Sequence, residues 1–227
     1  MFPLRDINPI RSTPLLVYAL IIANVVVFLY ELSLPLVELE RLVFRFGVIP
    51  RALTVDFSFM SLSTPITSMF LHGGWLHLIS NMWFLYIFGD NIEDTLGFRR
   101  FAYYYLLCGL AGAAAQVVID PLSPVPMVGA SGAISGVLGG YFRLFPRARV
   151  LTLIPIFVFF FIRELPAVLF IFLWFLIQLF GGLGSLGAGV QSQGVAFFAH
   201  IGGFVAGFLL IKWLKPPRNR TYGWVNR

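Results

Sequence analysis

The stretch VGASGAISGVLGG, from Val128 to Gly140, decides how this sequence folds. Gly132, Gly136 and Gly140 recur every four residues, so on a helix they form a stripe of small residues that lets another helix approach closely. The stripe does not explain Ser131, which lies where the chain is expected to enter the helix. The first N–H groups of a helix have no partner within it and favour an anion there. Ser131 is therefore a candidate nucleophile, since a tetrahedral oxyanion formed next to this serine would be such an anion.

The composition around this stretch is that of a membrane protein. The 227 residues are 59% hydrophobic and only 11% charged, whereas a soluble domain has about 25% charged residues. No linker or low-complexity stretch divides the chain, so one compact membrane domain is expected. The single cysteine, Cys108, excludes an intramolecular disulfide framework and a CxxC metal site, and it is interpreted as a packing residue.

The predicted fold class is an all-α integral membrane protein with six transmembrane helices and an interfacial first loop. The loop is the polar-interrupted stretch 31–70. Six apolar segments are the predicted spans: Pro14–Tyr30, Trp75–Phe88, Phe101–Ile119, Met127–Phe145, Leu165–Leu179 and Val195–Leu214. Residues 181–194 are a glycine-rich turn region between the last two spans.

The basic residues predict the topology. With six spans and the N-terminus inside, 13 of the 16 Lys and Arg residues lie on the cytoplasmic side, and only Arg41, Arg45 and Arg51 lie outside. Residues 150–162 are too few for a span, which needs about 20, and a seventh span would move the basic C-terminal tail outside. They are interpreted as an interfacial or partly re-entrant cytoplasmic segment. The chain divides into a cytoplasmic tail (1–13), a membrane domain (14–214) and a basic cytoplasmic tail (215–227).

Three polar residues in the predicted spans are candidates for chemistry, because polar groups at membrane depth are costly. His77 and Asn81 are four residues apart and share one helix face, as a donor patch or as a polar packing pair. His200 is followed by Gly203 and Gly207, which would let its helix sit close to the one that Ser131 begins. An imidazole within about 2.6–3.2 Å of a hydroxyl can activate it as a nucleophile. Ser135, one turn after Ser131, is interpreted as packing.

Three motifs occur in order on the second, fourth and sixth predicted spans: His77-x-x-x-Asn81, Gly129-Ala130-Ser131-Gly132 and Ala199-His200-x-x-Gly203. In this the chain resembles the rhomboid family of intramembrane serine proteases, in particular the bacterial six-span form. The resemblance covers roughly residues 14–214.

The resemblance implies a Ser–His dyad without a third acidic member. Ser131 would be the nucleophile and His200 the general base. An oxyanion hole would be formed by His77, Asn81 and the Ser131 N–H, with Gly129, Gly132, Gly203 and Gly207 as small residues near the site. The implied substrates are single-span membrane proteins cleaved within or near the bilayer. No metal, cofactor or nucleic acid is implied, and the short tails favour a prokaryotic plasma membrane.

Two positions depart from the pattern of many family members. Ser63 and Thr64 stand where many members have a Trp-Arg pair in the first loop. Ser135 stands where many have an aromatic ring that stacks on the base histidine, so a hydrogen bond from Ser135 is a candidate for orienting His200. Two alternatives to a protease are an inactive rhomboid-like protein that binds membrane clients, and a small transporter with histidine proton relays.

Overall fold

The computed structural model describes residues 2–187 and 196–216. The helices are α1 Leu15–Ser33, α2 Leu36–Phe46, α3 Pro50–Thr54, α4 Thr64–Thr67, α5 Trp75–Leu96, α6 Phe98–Ile119, α7 Ser131–Leu144, α8 Ala167–Gly187 and α9 Phe197–Leu214, and the strands are β1 Phe2–Asp6, β2 Arg149–Ile156 and β3 Phe159–Pro166. The C-terminal tail from 217 onward and residues 188–194 of the glycine-rich region lie outside the described residues. Residues 181–187, predicted as part of a turn, belong to α8 instead.

Four helices of the described ranges are long and apolar enough to cross a membrane: α1, α6, α8 and α9. Helix α5 has 22 residues but carries acidic side chains near its end. Helix α7 has 14 residues, so it is about 21 Å long at 1.5 Å per residue, shorter than a hydrocarbon core of about 30 Å. The six-span count therefore stays a prediction.

The described chain is mostly helical, as expected. The expectation of an all-α fold was wrong only in that the chain also forms a three-stranded antiparallel sheet in the order β1-β2-β3. Residues 150–162, interpreted as an interfacial or re-entrant segment, lie within the hairpin of β2 and β3. Its two-residue loop contains Phe157 at φ 53°. The usual Asn-Gly or Gly-Gly signal of such loops is missing from the sequence, so the hairpin was not recognisable. Strand β1, which lies in the predicted N-terminal tail, pairs with β2.

Helix α7 lies at the centre of the helical bundle and is buried from Ala133 to Tyr141. Its backbone comes close to that of α9 at several places, two of which join pairs of glycines. A Cβ on Gly203 would overlap the Gly132 carbonyl, and a Cβ on Gly207 would overlap the Gly136 carbonyl. We call these four residues the glycine seam. Gly140 does not belong to it, because it faces the hydroxyl of Tyr104 on α6.

One end of the bundle is held by side chains distant in sequence. At the start of α1, the Glu93 carboxylate of α5 accepts hydrogen bonds from the N–H groups of Leu16 (2.9 Å) and Val17 (2.8 Å), which have no partner within their own helix. At the same end, the Tyr141 hydroxyl of α7 donates to Asp6 of β1 at 2.7 Å, and Asn91 of α5 also donates to Asp6. The sheet is therefore attached to the end of α7 opposite to Ser131.

The first loop is folded rather than irregular and contains α2, α3 and α4. Ser63 and Thr64 use their hydroxyls locally. Ser63 donates to the Met60 carbonyl and Thr64 to the Ser61 carbonyl, each at 2.8 Å. They therefore stabilise the loop from within. The interfacial position of the loop stays a prediction.

Candidate active site

Ser131 is the first residue of α7, and the turn before it requires a glycine. Gly129 has φ +118°, a conformation that side-chain-bearing residues rarely adopt, and its N–H donates to the Ser68 carbonyl at 2.8 Å. A Cβ on Gly129 would also come too close to the imidazole of His77. The expectation that Ser131 lies where the chain enters the helix agrees with this geometry.

His200 of α9 lies next to Ser131. The distance from its Nε2 to the Ser131 Oγ is 2.8 Å, within the range in which an imidazole can take a hydroxyl proton. The glycine seam permits this distance, because Gly132 and Gly203 follow Ser131 and His200 closely and allow the two backbones to meet. The structure thus brings together the two residues that the sequence analysis placed on separate helices.

Gln178 of α8 contacts the other ring nitrogen of His200, and the sequence analysis did not single it out. Its Oε1 lies 2.8 Å from His200 Nδ1. Since a carbonyl oxygen only accepts, Nδ1 carries the proton in this arrangement, and the lone pair of Nε2 faces Ser131. The signal was present, because Gln178 is a polar residue in an otherwise apolar span and meets the criterion that selected the histidines.

Ser135 does not orient His200, so the suggested hydrogen bond between these two residues was wrong. Its hydroxyl donates to the Ser131 carbonyl one turn earlier, at 2.6 Å, as serines within helices often do. The aromatic ring nearest to the imidazole belongs to Trp174 of α8, with ring centroids 6.2 Å apart. Helix α8 therefore supplies both the hydrogen bond and the ring beside His200.

His77 and Asn81 of α5 lie against the turn that precedes Ser131. A Cβ on Gly129 would be 2.6 Å from His77 Nε2 and 3.5 Å from Asn81 Nδ2. The Asn81 amide nitrogen is buried and has no hydrogen-bond partner among the described residues. His77 Nδ1 accepts a long hydrogen bond, 3.4 Å, from the Gly73 N–H, which leaves Nε2 as a donor. Two unused donors thus converge beside the free N–H groups at the start of α7.

A small cavity of about 40 Å³ adjoins the Ser131 hydroxyl, and Gly129, Ser68, Met69 and Ala199 are among the residues that line it. A cavity needs about 10–15 Å³ to hold a water molecule. The site therefore has room for a water molecule or a small side chain beside the candidate nucleophile.

Comparison with known proteins identifies the family to which this geometry belongs. Residues 60–216 match the family model of the Rhomboid domain, a range that includes every candidate site residue. The chain belongs to the rhomboid family. This rhomboid is 30% identical over 214 residues to the Rhomboid protease GluP of Bacillus subtilis, an alignment that covers 94% of the chain and 37% of that protein.

Two plant proteins are also similar to this rhomboid. RHOMBOID-like protein 4 of Arabidopsis thaliana is 36% identical over 159 residues, covering 69% of this chain and 34% of that protein. RHOMBOID-like protein 5 of the same plant is 33% identical over 163 residues, covering 71% and 46%. The chain thus spans between about a third and a half of the length of these relatives. Together with its membrane-length helices, the family identifies an integral membrane protein.

Proposed function

We propose that this rhomboid is an intramembrane serine endopeptidase that cleaves single-span membrane proteins within or near the bilayer. The observation that carries the proposal is the 2.8 Å distance between Ser131 Oγ and His200 Nε2 at the start of a buried helix. A hydroxyl and an imidazole at this distance, at a site lined by unused donors, form a nucleophile with its base.

In the proposed reaction, Ser131 Oγ attacks the scissile carbonyl carbon while His200 Nε2 takes the hydroxyl proton. The carbonyl oxygen becomes an oxyanion, which accepts hydrogen bonds from the Ser131 N–H, His77 Nε2 and Asn81 Nδ2. When the C–N bond breaks, His200 gives its proton to the leaving amine, and Ser131 retains the acyl group. A water molecule then attacks the ester with His200 again as base, which releases the acid and restores the hydroxyl.

The substrate must present an unwound segment, because a helix shields its own carbonyls with internal hydrogen bonds. Single-span membrane proteins with small or helix-breaking residues are the class that fits this requirement. The proposal keeps the six-span topology with both termini in the cytoplasm, which the distribution of Lys and Arg supports. The first loop then lies at the outer interface, and the membrane is a prokaryotic plasma membrane.

The test compares the wild type with Ser131→Ala in proteoliposomes that contain a labelled single-span substrate. We expect cleavage by the wild type, none above background by Ser131→Ala, and most of the activity in Ser135→Ala, which removes the neighbouring hydroxyl of the same helix. A fluorophosphonate probe should label the wild type and not Ser131→Ala. Equal cleavage by the wild type and Ser131→Ala would refute the proposal, and a wild type that neither cleaves nor takes the probe would indicate an inactive, client-binding protein.

A further inference from the structure

Gln178 completes a chain of contacts across three helices. Its amide oxygen lies 2.8 Å from His200 Nδ1, and His200 Nε2 lies 2.8 Å from Ser131 Oγ. Gln178 is buried, with 9% of its surface exposed, so water does not easily replace its hydrogen bond. Such a buried bond to one ring nitrogen decides which tautomer the imidazole adopts.

The chemistry of the amide determines what this contact does. A neutral imidazole has one N–H, and it activates Ser131 only if that N–H is on Nδ1, leaving Nε2 to accept the hydroxyl proton. The Gln178 carbonyl favours this tautomer without bringing a charge. Among the described residues, the titratable group that acts electrostatically on His200 is His77 of α5.

We propose that Gln178 is a positioning residue that holds His200 in the tautomer competent to act as a base. The inference rests on the proposed protease function and deepens it, because it makes the activity depend on α8 as well as on α7 and α9. A neutral amide in this place also differs from a carboxylate, which would favour the charged imidazolium and withdraw the base at mildly acidic pH.

The experiment measures kcat and KM for Gln178→Leu and Gln178→Glu between about pH 5 and pH 9. Gln178→Leu replaces the amide with an apolar side chain of similar size that cannot accept a hydrogen bond, so we expect kcat to fall about 10- to 100-fold with little change in KM. Gln178→Glu keeps the acceptor, so we expect activity at alkaline pH and an acid limb moved to higher pH. Ser185→Ala, which removes a hydroxyl that donates to the Gly182 carbonyl of the same helix, is the control.

The outcomes separate this inference from the proposed function. A purely structural role for Gln178 would lower the stability of both variants without moving the pH profile. Wild-type kcat in Gln178→Leu, or a wild-type pH profile in Gln178→Glu, would overturn the inference while Ser131→Ala remained inactive. If Gln178→Leu does not fold, the pH profile of Gln178→Glu decides alone. Activity in Ser131→Ala would instead refute the protease proposal.

Discussion

Two parts of the molecule hold His200 in different ways. On one side, α7 and α9 meet backbone to backbone through the glycine seam, which leaves no room for a side chain. On the other side, α8 contacts His200 through the side chains of Gln178 and Trp174. It also exposes large apolar residues such as Phe172 and Phe180. The Ser131–His200 distance is thus fixed by the main chain, whereas the orientation of the imidazole depends on side chains of a peripheral helix.

The largest expected effect comes from opening the glycine seam with Gly203→Val. Its Cβ would overlap the backbone of Gly132, which cannot move aside as a flexible side chain would. Overpacking costs about 1–3 kcal/mol and occasionally more, and we expect at least the upper end here, with loss of cleavage. Thermal unfolding in detergent and the cleavage assay measure both effects. A Gly203→Val protein with wild-type stability and activity would show that the seam does not set the Ser131–His200 distance.

Asn81→Ala tests whether a third helix, α5, supplies an oxyanion donor to the Ser131 site. Loss of one such donor costs about 10²–10³-fold in kcat in other proteases, and we expect that range. Because Asn81 Nδ2 has no partner among the described residues, its removal should change the free energy of unfolding by less than about 1 kcal/mol. Steady-state kinetics and thermal unfolding of the same preparation measure the two quantities. A parallel loss of stability and activity would instead indicate a packing role for Asn81.

Asp6→Asn tests the junction between α7 and the sheet. Burial is the main cause that raises the pKa of Asp6 from 3.8 to about 7. The hydrogen bond from Tyr141 lowers this pKa, and the nearby Asp90 carboxylate raises it further. The folded protein therefore binds this proton more tightly than the unfolded chain does. The contribution of Asp6 to the free energy of unfolding is largest below about pH 4 and is lost as the pH rises through about 7.

The asparagine variant keeps an uncharged side chain at every pH. After allowing for the solvent that reaches this side chain, we expect Asp6→Asn to be about 1–2 kcal/mol more stable than the wild type at pH 8 and similar to it at pH 4. Unfolding measured across this pH range is the test. A variant that lost stability equally at both pH values would show that the ionised Asp6 carboxylate does not destabilise the junction.

Gly184→Ala has the smallest expected effect and is the counterpart of the seam variant on α8. A Cβ there would have no atom within 4 Å, so it meets no obstacle, and alanine favours a helix over glycine by about 0.5–1 kcal/mol. We expect a slight gain in stability and unchanged cleavage. A marked loss in the thermal unfolding assay would mean that α8 is as tightly packed as the seam.

The sequence predicted the motif residues of the site better than its surroundings. Spacing alone placed His77 and Asn81 on one face, and the glycine pattern indicated close approach of the helices that carry Ser131 and His200. Gln178 could have been selected as a polar residue in an apolar span, but its pairing with His200 Nδ1 depends on how α8 packs against α9, which the sequence does not show.

The sheet was missed for a different physical reason. Residues 149–166 have no regular alternation of polar and apolar positions, and their loop relies on Phe157 at a positive φ instead of a glycine. Pairing with β1 could not be foreseen from a segment so far away in the chain. The local sequence pattern therefore identified helices and motifs, but it did not predict the pairing of strands that are distant in the chain.

The pairing of β1 with β2 has a consequence for synthesis. Phe2 pairs with Leu153, so β1 has no partner until a segment about 150 residues later in the chain has been made. At about 5–20 residues per second, the ribosome takes roughly 8 to 30 seconds to cover that distance. During that interval β1 has an unpaired edge, and the sheet is completed only after the helices before β2 have been made. Strand β1 is thus made before the other described elements and is among the last to reach its place.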